Sequence, residues 1–157
     1  MSARIVADYR ELAPLVARER SAGRRVALAN GCFDVLHVGH VRLLAEARSH
    51  CDVLVVALNS DESTRASKGP SRPLVPLHER LELVAALCGV DYATSFGEPT
   101  ADALIRALRP ELLVKGTDRT PGDVPERDTL EACGGRVLIC GDPKSHSSSD
   151  LIRRLGG

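Results

Sequence analysis

The stretch NGCFDVLHVGH, residues 30–40, follows a short apolar run, VALA at residues 26–29, and leads into a segment with helical character from about Gly39. An apolar strand, a glycine-containing turn and then a helix place His37 and His40 together at a helix N-terminus. Unpaired N–H groups and the positive end of the helix dipole favour an anion there. Gly31 and Gly39 let backbone approach it closely. Asn30, Cys32, Phe33 and Asp34 fill the turn between strand and helix beside this phosphate-attracting position.

Working outward, further short apolar runs bounded by turn residues occur at 53–58, 92–96, 112–114 and 137–140. Continuous apolar runs of that length read as strands buried on both faces. Between them lie helical periodicities, the clearest at 77–88, where Leu77, Leu81, Val84, Leu87 and Cys88 share one stripe. Pro14 and Gly23 bracket a first helix, Pro76 and Gly89 another, and Thr100 and Pro110 a third. Strand and helix alternate, which predicts an α/β, Rossmann-like doubly wound parallel sheet of about five strands with helices on both faces. The expected organisation is one domain over 1–157, with an N-terminal helical segment at 1–23 and a catalytic core at 24–155. Ligands bind such sheets at the carboxyl ends of the strands, where the winding reverses. The segments after the runs, 30–40, 59–73, 97–100, 115–125 and 141–150, are therefore where function is expected.

Composition narrows the partners. Lysine plus arginine and aspartate plus glutamate both number 21 in 157 residues, so no net field favours nucleic acid or an anionic membrane. The longest apolar run is far short of a bilayer span and the N-terminus does not resemble a signal peptide, which predicts a cytoplasmic chain. The five cysteines form no CxxC pair and are odd in number, which argues for reduced, mostly buried thiols. A metal reading of His37 and His40 lacks a third ligand nearby.

Other polar residues fall in the segments after the runs. Lys68 and Arg72 are read in a Gly/Pro-containing loop, where on charge alone they are a solvated basic loop or a pair of cations for phosphate. Arg80, at the start of the strong amphipathic helix, either turns back towards phosphate or faces solvent. Ser147, Ser148 and Ser149 open the last helix, where a hydroxyl caps the helix or contacts phosphate. Lys115, Gly116 and Asp118 follow the fourth run. Asp34 is either the acidic residue nearest a cation or the anchor of its own loop.

The HxGH tetrapeptide after GCFD resembles the signature of the HIGH-motif nucleotidyltransferase superfamily. With LNSDESTRASKGPSRPLVPLHER (58–80), LLVKGTD (112–118) and HSSSDLIRR (146–154), the chain is similar to the adenylyltransferase domain of bacterial heptose enzymes. That domain converts a heptose 1-phosphate and ATP into ADP-heptose and pyrophosphate. The resemblance implies His37, His40 and Lys68 as catalytic residues. It implies Asn30, Gly31, Cys32, Phe33, Asp34, Gly39, Lys115, Gly116, Asp118 and the three serines on the nucleotide, and Lys68, Arg72 and Arg80 on the substrate phosphate. It also implies Mg²⁺ arriving with ATP without dedicated protein ligands, a sugar 1-phosphate as acceptor, and a homo-oligomer. Two departures stand out: Arg119 replaces an aromatic residue after Asp118, and His146 replaces an apolar residue before the serines. Polyol-phosphate cytidylyltransferases share GxFDxxHxGH but carry a different segment before the last helix, and a catalytically idle nucleotide sensor is the remaining alternative.

Overall fold

A computed structural model describes residues 2–143 and 147–156. Six strands, β1 (Arg4–Asp8), β2 (Val26–Gly31), β3 (Val53–Asn59), β4 (Tyr92–Phe96), β5 (Leu112–Gly116) and β6 (Arg136–Cys140), form one sheet in the order β1-β4-β3-β2-β5-β6. Every pairing is parallel. The helices are α1 (Tyr9–Ser21), α2 (Val38–Ser49), α3 (Asp61–Lys68), α4 (Leu77–Ala85), α5 (Asp102–Leu108), α6 (Arg127–Ala132) and α7 (Ser148–Arg154). The doubly wound expectation holds, with six strands in place of about five.

Apolar residues run continuously along the central strands because both faces are covered. Val26 and Leu28 of β2 pack with Leu12 and Val16 of α1 and with Leu104, Ile105 and Leu108 of α5. Their neighbours Ala27 and Ala29 pack on the opposite face with Leu44 and Ala47 of α2 and Leu81 and Val84 of α4. In β3, Val53, Val55 and Ala57 join the first layer while Leu54, Val56 and Leu58 join the second. Each wholly buried leucine or valine contributes about 1.5–3 kcal/mol, so this double layer fixes the register of the strand ends that carry the polar loops.

Several local expectations are corrected. Residues 1–23 contain the edge strand β1 as well as a helix. Its burial alternates weakly, with only Val6 partly covered. Pro14 lies inside α1; the helix starts at Tyr9 because the Asp8 carboxylate accepts from the Arg10 N–H at 2.8 Å. The segment read as a loop at 59–73 contains α3, capped by the Ser60 hydroxyl on the Ser63 N–H at 3.1 Å. The amphipathic helix ends at Ala85, so Leu87 and Cys88 fall outside it. Of the five thiols only Cys140 is buried, and Cys88 is exposed. No helix among the described residues is long and apolar enough to cross a membrane.

Candidate active site

From β2 the chain winds outward through β3 and β4, then returns to the other side of β2 for β5 and β6. At that reversal, over the carboxyl ends of β2 and β5, lies a cleft of about 780 Å³. Every site residue predicted from sequence lines it except Arg80. His146 lies outside the described residues.

The two histidines form a reciprocal cap at the start of α2. His37 Nδ1 accepts from the Gly39 N–H at 3.1 Å, and His40 Nδ1 accepts from the His37 N–H at 3.3 Å. Their rings lie 3.9 Å apart between centroids, tilted by 32°. An imidazole whose Nδ1 is an acceptor carries its proton on Nε2. Both rings are therefore held in the tautomer whose Nε2 is a donor, beside a helix N-terminus. Phe33 is buried, with its ring 5.1 Å from that of His40. Its φ of 49° is a left-handed conformation that a bulky residue adopts only where its surroundings impose it. Gly31 has little room for a side chain, since a Cβ there would lie 3.3 Å from the Phe33 ring.

Asp34 anchors the loop. It is 2% exposed and accepts from Arg72 Nε at 2.6 Å, from the Leu74 N–H at 2.9 Å and from the Val75 N–H at 2.9 Å. Burial pushes its carboxyl up, but the Val75 and Leu74 N–H groups and the Arg72 guanidinium outweigh it and hold the pKa below the ordinary value. Arg72 therefore lines the cleft as half of a buried ion pair.

Arg80 is corrected. It is wholly buried, and its guanidinium donates to the carbonyls of Val75, Cys32 and Asn59 at 2.9, 2.7 and 2.9 Å and to Asp61 Oδ1 at 2.7 Å. All three nitrogens are engaged in tying together the ends of β2 and β3, the start of α3 and the loop before α4. Arg80 thus braces the walls and does not face the cleft.

Among the described residues, Lys68, Arg72 and Lys115 line the cleft, and they differ in charge balance. Arg72 pairs with Asp34, and Lys115 Nζ lies 3.5 Å from Glu126 Oε2 while donating to Asn30 Oδ1 at 3.3 Å. Lys68, exposed at the end of α3, is in no ion pair among the described residues. Across the cleft, the Ser147 hydroxyl caps α7 on the Asp150 N–H at 3.0 Å, and Ser148 Oγ donates to the Val35 carbonyl at 2.9 Å. Ser149 is exposed at the cleft. Asp118 and Gly116 line the wall above β5, and a Cβ at Gly116 would lie 3.0 Å from Asp118 Oδ1.

Cys32 lines the cleft and its thiol donates weakly to Asn59 Oδ1 at 3.8 Å. Asn59, Thr117 and Asp142 also line the cleft and were not singled out from sequence. Asn59 ends β3, Thr117 directly follows β5 and Asp142 lies two residues beyond β6, where the strand-end rule alone pointed to them. Arg42 of α2 pairs with Asp142 at 2.6 Å, and Glu46 accepts from the Gly141 N–H at 2.6 Å, holding the last loop against α2. No group of three or more His, Cys, Asp or Glu side chains among the described residues is arranged to hold a metal ion.

The sequence places this fold in a known family. Residues 28–154 match the model of the cytidylyltransferase-like family, and the chain belongs to it. It is 48% identical over 137 residues to the bifunctional protein HldE of Syntrophotalea carbinolica, which covers 87% of this chain and 28% of that protein. With HldE of Bradyrhizobium sp. it is 47% identical over 151 residues, 96% of this chain and 31% of the relative. The chain therefore spans about three-tenths of the length of these relatives. The crystal structure of a lipopolysaccharide core biosynthesis protein from Thermoplasma volcanium superposes with a TM-score of 0.68 over 78% of this chain and 100% of that one; at 24% identity the likeness is one of fold.

Proposed function

We propose that this chain is a nucleotidyltransferase that transfers AMP from ATP to a sugar 1-phosphate, heptose 1-phosphate foremost, and releases pyrophosphate. The observation that carries this reading is the paired His37–His40 cap, whose Nδ1 atoms accept backbone N–H groups at a helix N-terminus over the switch point. The likeness to bifunctional HldE proteins over most of this chain supports the choice of acceptor.

An acceptor phosphate oxygen attacks the α-phosphorus, the bond to the α,β-bridging oxygen breaks, and that oxygen departs with pyrophosphate. The attacking oxygen is already anionic, so no general base or covalent intermediate is needed. The protein supplies alignment and stabilises developing charge. His37 and His40 donate to the phosphate oxygens, Lys68 supplies a positive charge with no ion-pair partner among the described residues, and the N-terminus of α2 adds its dipole. Asp34 is committed to Arg72 and its own loop, so Mg²⁺ would be held by triphosphate oxygens and water and would neutralise charge there. The setting we propose is the cytoplasm.

The test is a matrix of ATP, CTP, GTP and UTP against heptose 1-phosphate, other sugar 1-phosphates and glycerol phosphate, with pyrophosphate release measured. ATP with a sugar 1-phosphate should be fastest. Preference for CTP with glycerol phosphate would replace this reading with a cytidylyl transfer, and silence throughout would leave a nucleotide-sensing module.

A further inference from the structure

We infer that Glu126 is a positioning residue that holds Lys115 at the cleft wall and neutralises it, so that Lys115 serves an uncharged acceptor on the nucleoside and not a phosphate. This rests on the nucleotidyl-transfer reading above.

Glu126 immediately precedes α6 and does not line the cleft, yet it is 8% exposed and its Oε2 is buried without a hydrogen bond among the described residues. A carboxylate oxygen withdrawn from water is tolerated only beside a positive charge. The cation is Lys115, with Nζ at 3.5 Å, its own side chain 16% exposed. The second tether on the same ammonium is Asn30 Oδ1 at 3.3 Å. An ammonium has three donors, so with one on Asn30 and its charge balanced by Glu126, Lys115 retains donor capacity at the cleft surface without a net charge. Lys68 has the opposite character, exposed and in no ion pair among the described residues. The cleft thus carries a lysine with no ion-pair partner among the described residues at the end of α3, and a lysine paired with a buried carboxylate at the end of β5. A polyanionic phosphate chain is drawn to the first, and a sugar hydroxyl or a base suits the second.

The experiment uses the full chain with Glu126→Gln, Lys115→Met and the double variant. Brief acetylation followed by mass spectrometry compares Lys115 with Lys68. Glu126→Gln should raise Lys115 labelling several-fold relative to Lys68. It should raise KM for ATP roughly tenfold, more than it lowers kcat, as expected for loss of one charge-supported hydrogen bond. In the Lys115→Met background Glu126→Gln should add no further kinetic loss. It should also restore the melting temperature that Lys115→Met alone lowers by leaving Glu126 buried and unpaired; this comparison decides the matter even if Glu126→Gln alone folds poorly. An unchanged labelling ratio, additive kinetic losses or an absence of rescue would overturn the inference. Labelling and rescue need no catalysis, so a wild-type chain that releases no pyrophosphate would remove the proposed function while these two readouts still decide the role of Glu126.

Discussion

Replacing Arg80 with alanine tests whether the side chain is a brace or a phosphate ligand. The guanidinium makes four hydrogen bonds, three of them to main-chain carbonyls of separate segments, from a wholly buried position. Asp61 is 41% exposed and regains water when its partner goes, so the loss concentrates on the carbonyls and on the space left by the stem. Removing one partner from a buried, hydrogen-bonded charge costs about 3–5 kcal/mol. For a chain of this size each kcal/mol shifts the melting temperature by about 2–4 °C, so the expected fall is roughly 6–20 °C. Arg80→Lys should recover only a small part, because an ammonium cannot span acceptors in four directions. Calorimetry gives the shift, and pyrophosphate release measured well below the melting point of the variant gives the activity. A melting temperature within about 2 °C of wild type together with lost turnover would refute the brace and return Arg80 to the substrate.

His40→Ala should lower turnover roughly 10²- to 10³-fold while nucleotide affinity falls much less, since its donor engages charge that grows in the transition state; near-normal turnover from the folded variant would end that assignment. Lys68→Ala should weaken phosphate binding and raise KM with little change in melting temperature, because the residue is exposed; unaltered kinetics would make it a solvated surface lysine. Asp34 has a lowered pKa in the folded state, so the stability from its ionisation is complete above the unfolded carboxyl value of about 4 and drains as pH falls through the lower folded value. Asp34→Asn should lower stability at neutral pH and flatten its decline below about pH 4, and an undiminished slope in an acid titration of stability would contradict the anchor.

The central strands were legible because burial on both faces writes them as unbroken apolar runs. β1 was not, because an edge strand with one half-buried residue, RIVAD, carries no such run. α3 was hidden for a related reason: DESTRASK has almost no apolar face, and only its Ser60 cap and the acidic pair Asp61 and Glu62 announced it. The location of the cleft followed from the strand-end rule, while charge balance within it did not. Lys115 and Glu126, or Asp34 and Arg72, are partners across intervening turns and elements, and no spacing rule links them. Arg80 did leave a trace. It sits three residues after Leu77 and four before Val84, on the buried stripe of α4, where an arginine must find internal acceptors.

Sheet order also dictates the sequence of events on the ribosome. β1 has a single neighbour, β4, and Arg4 pairs with Tyr92. At about 5–20 residues per second, β1 must wait on the order of ten seconds before β4, its partner among the described residues, has been synthesised. β2 and β3, adjacent both in the chain and in the sheet, are complete well before then. The centre of the sheet is therefore available to form during translation while the N-terminal edge is the last part of the β4 side to close.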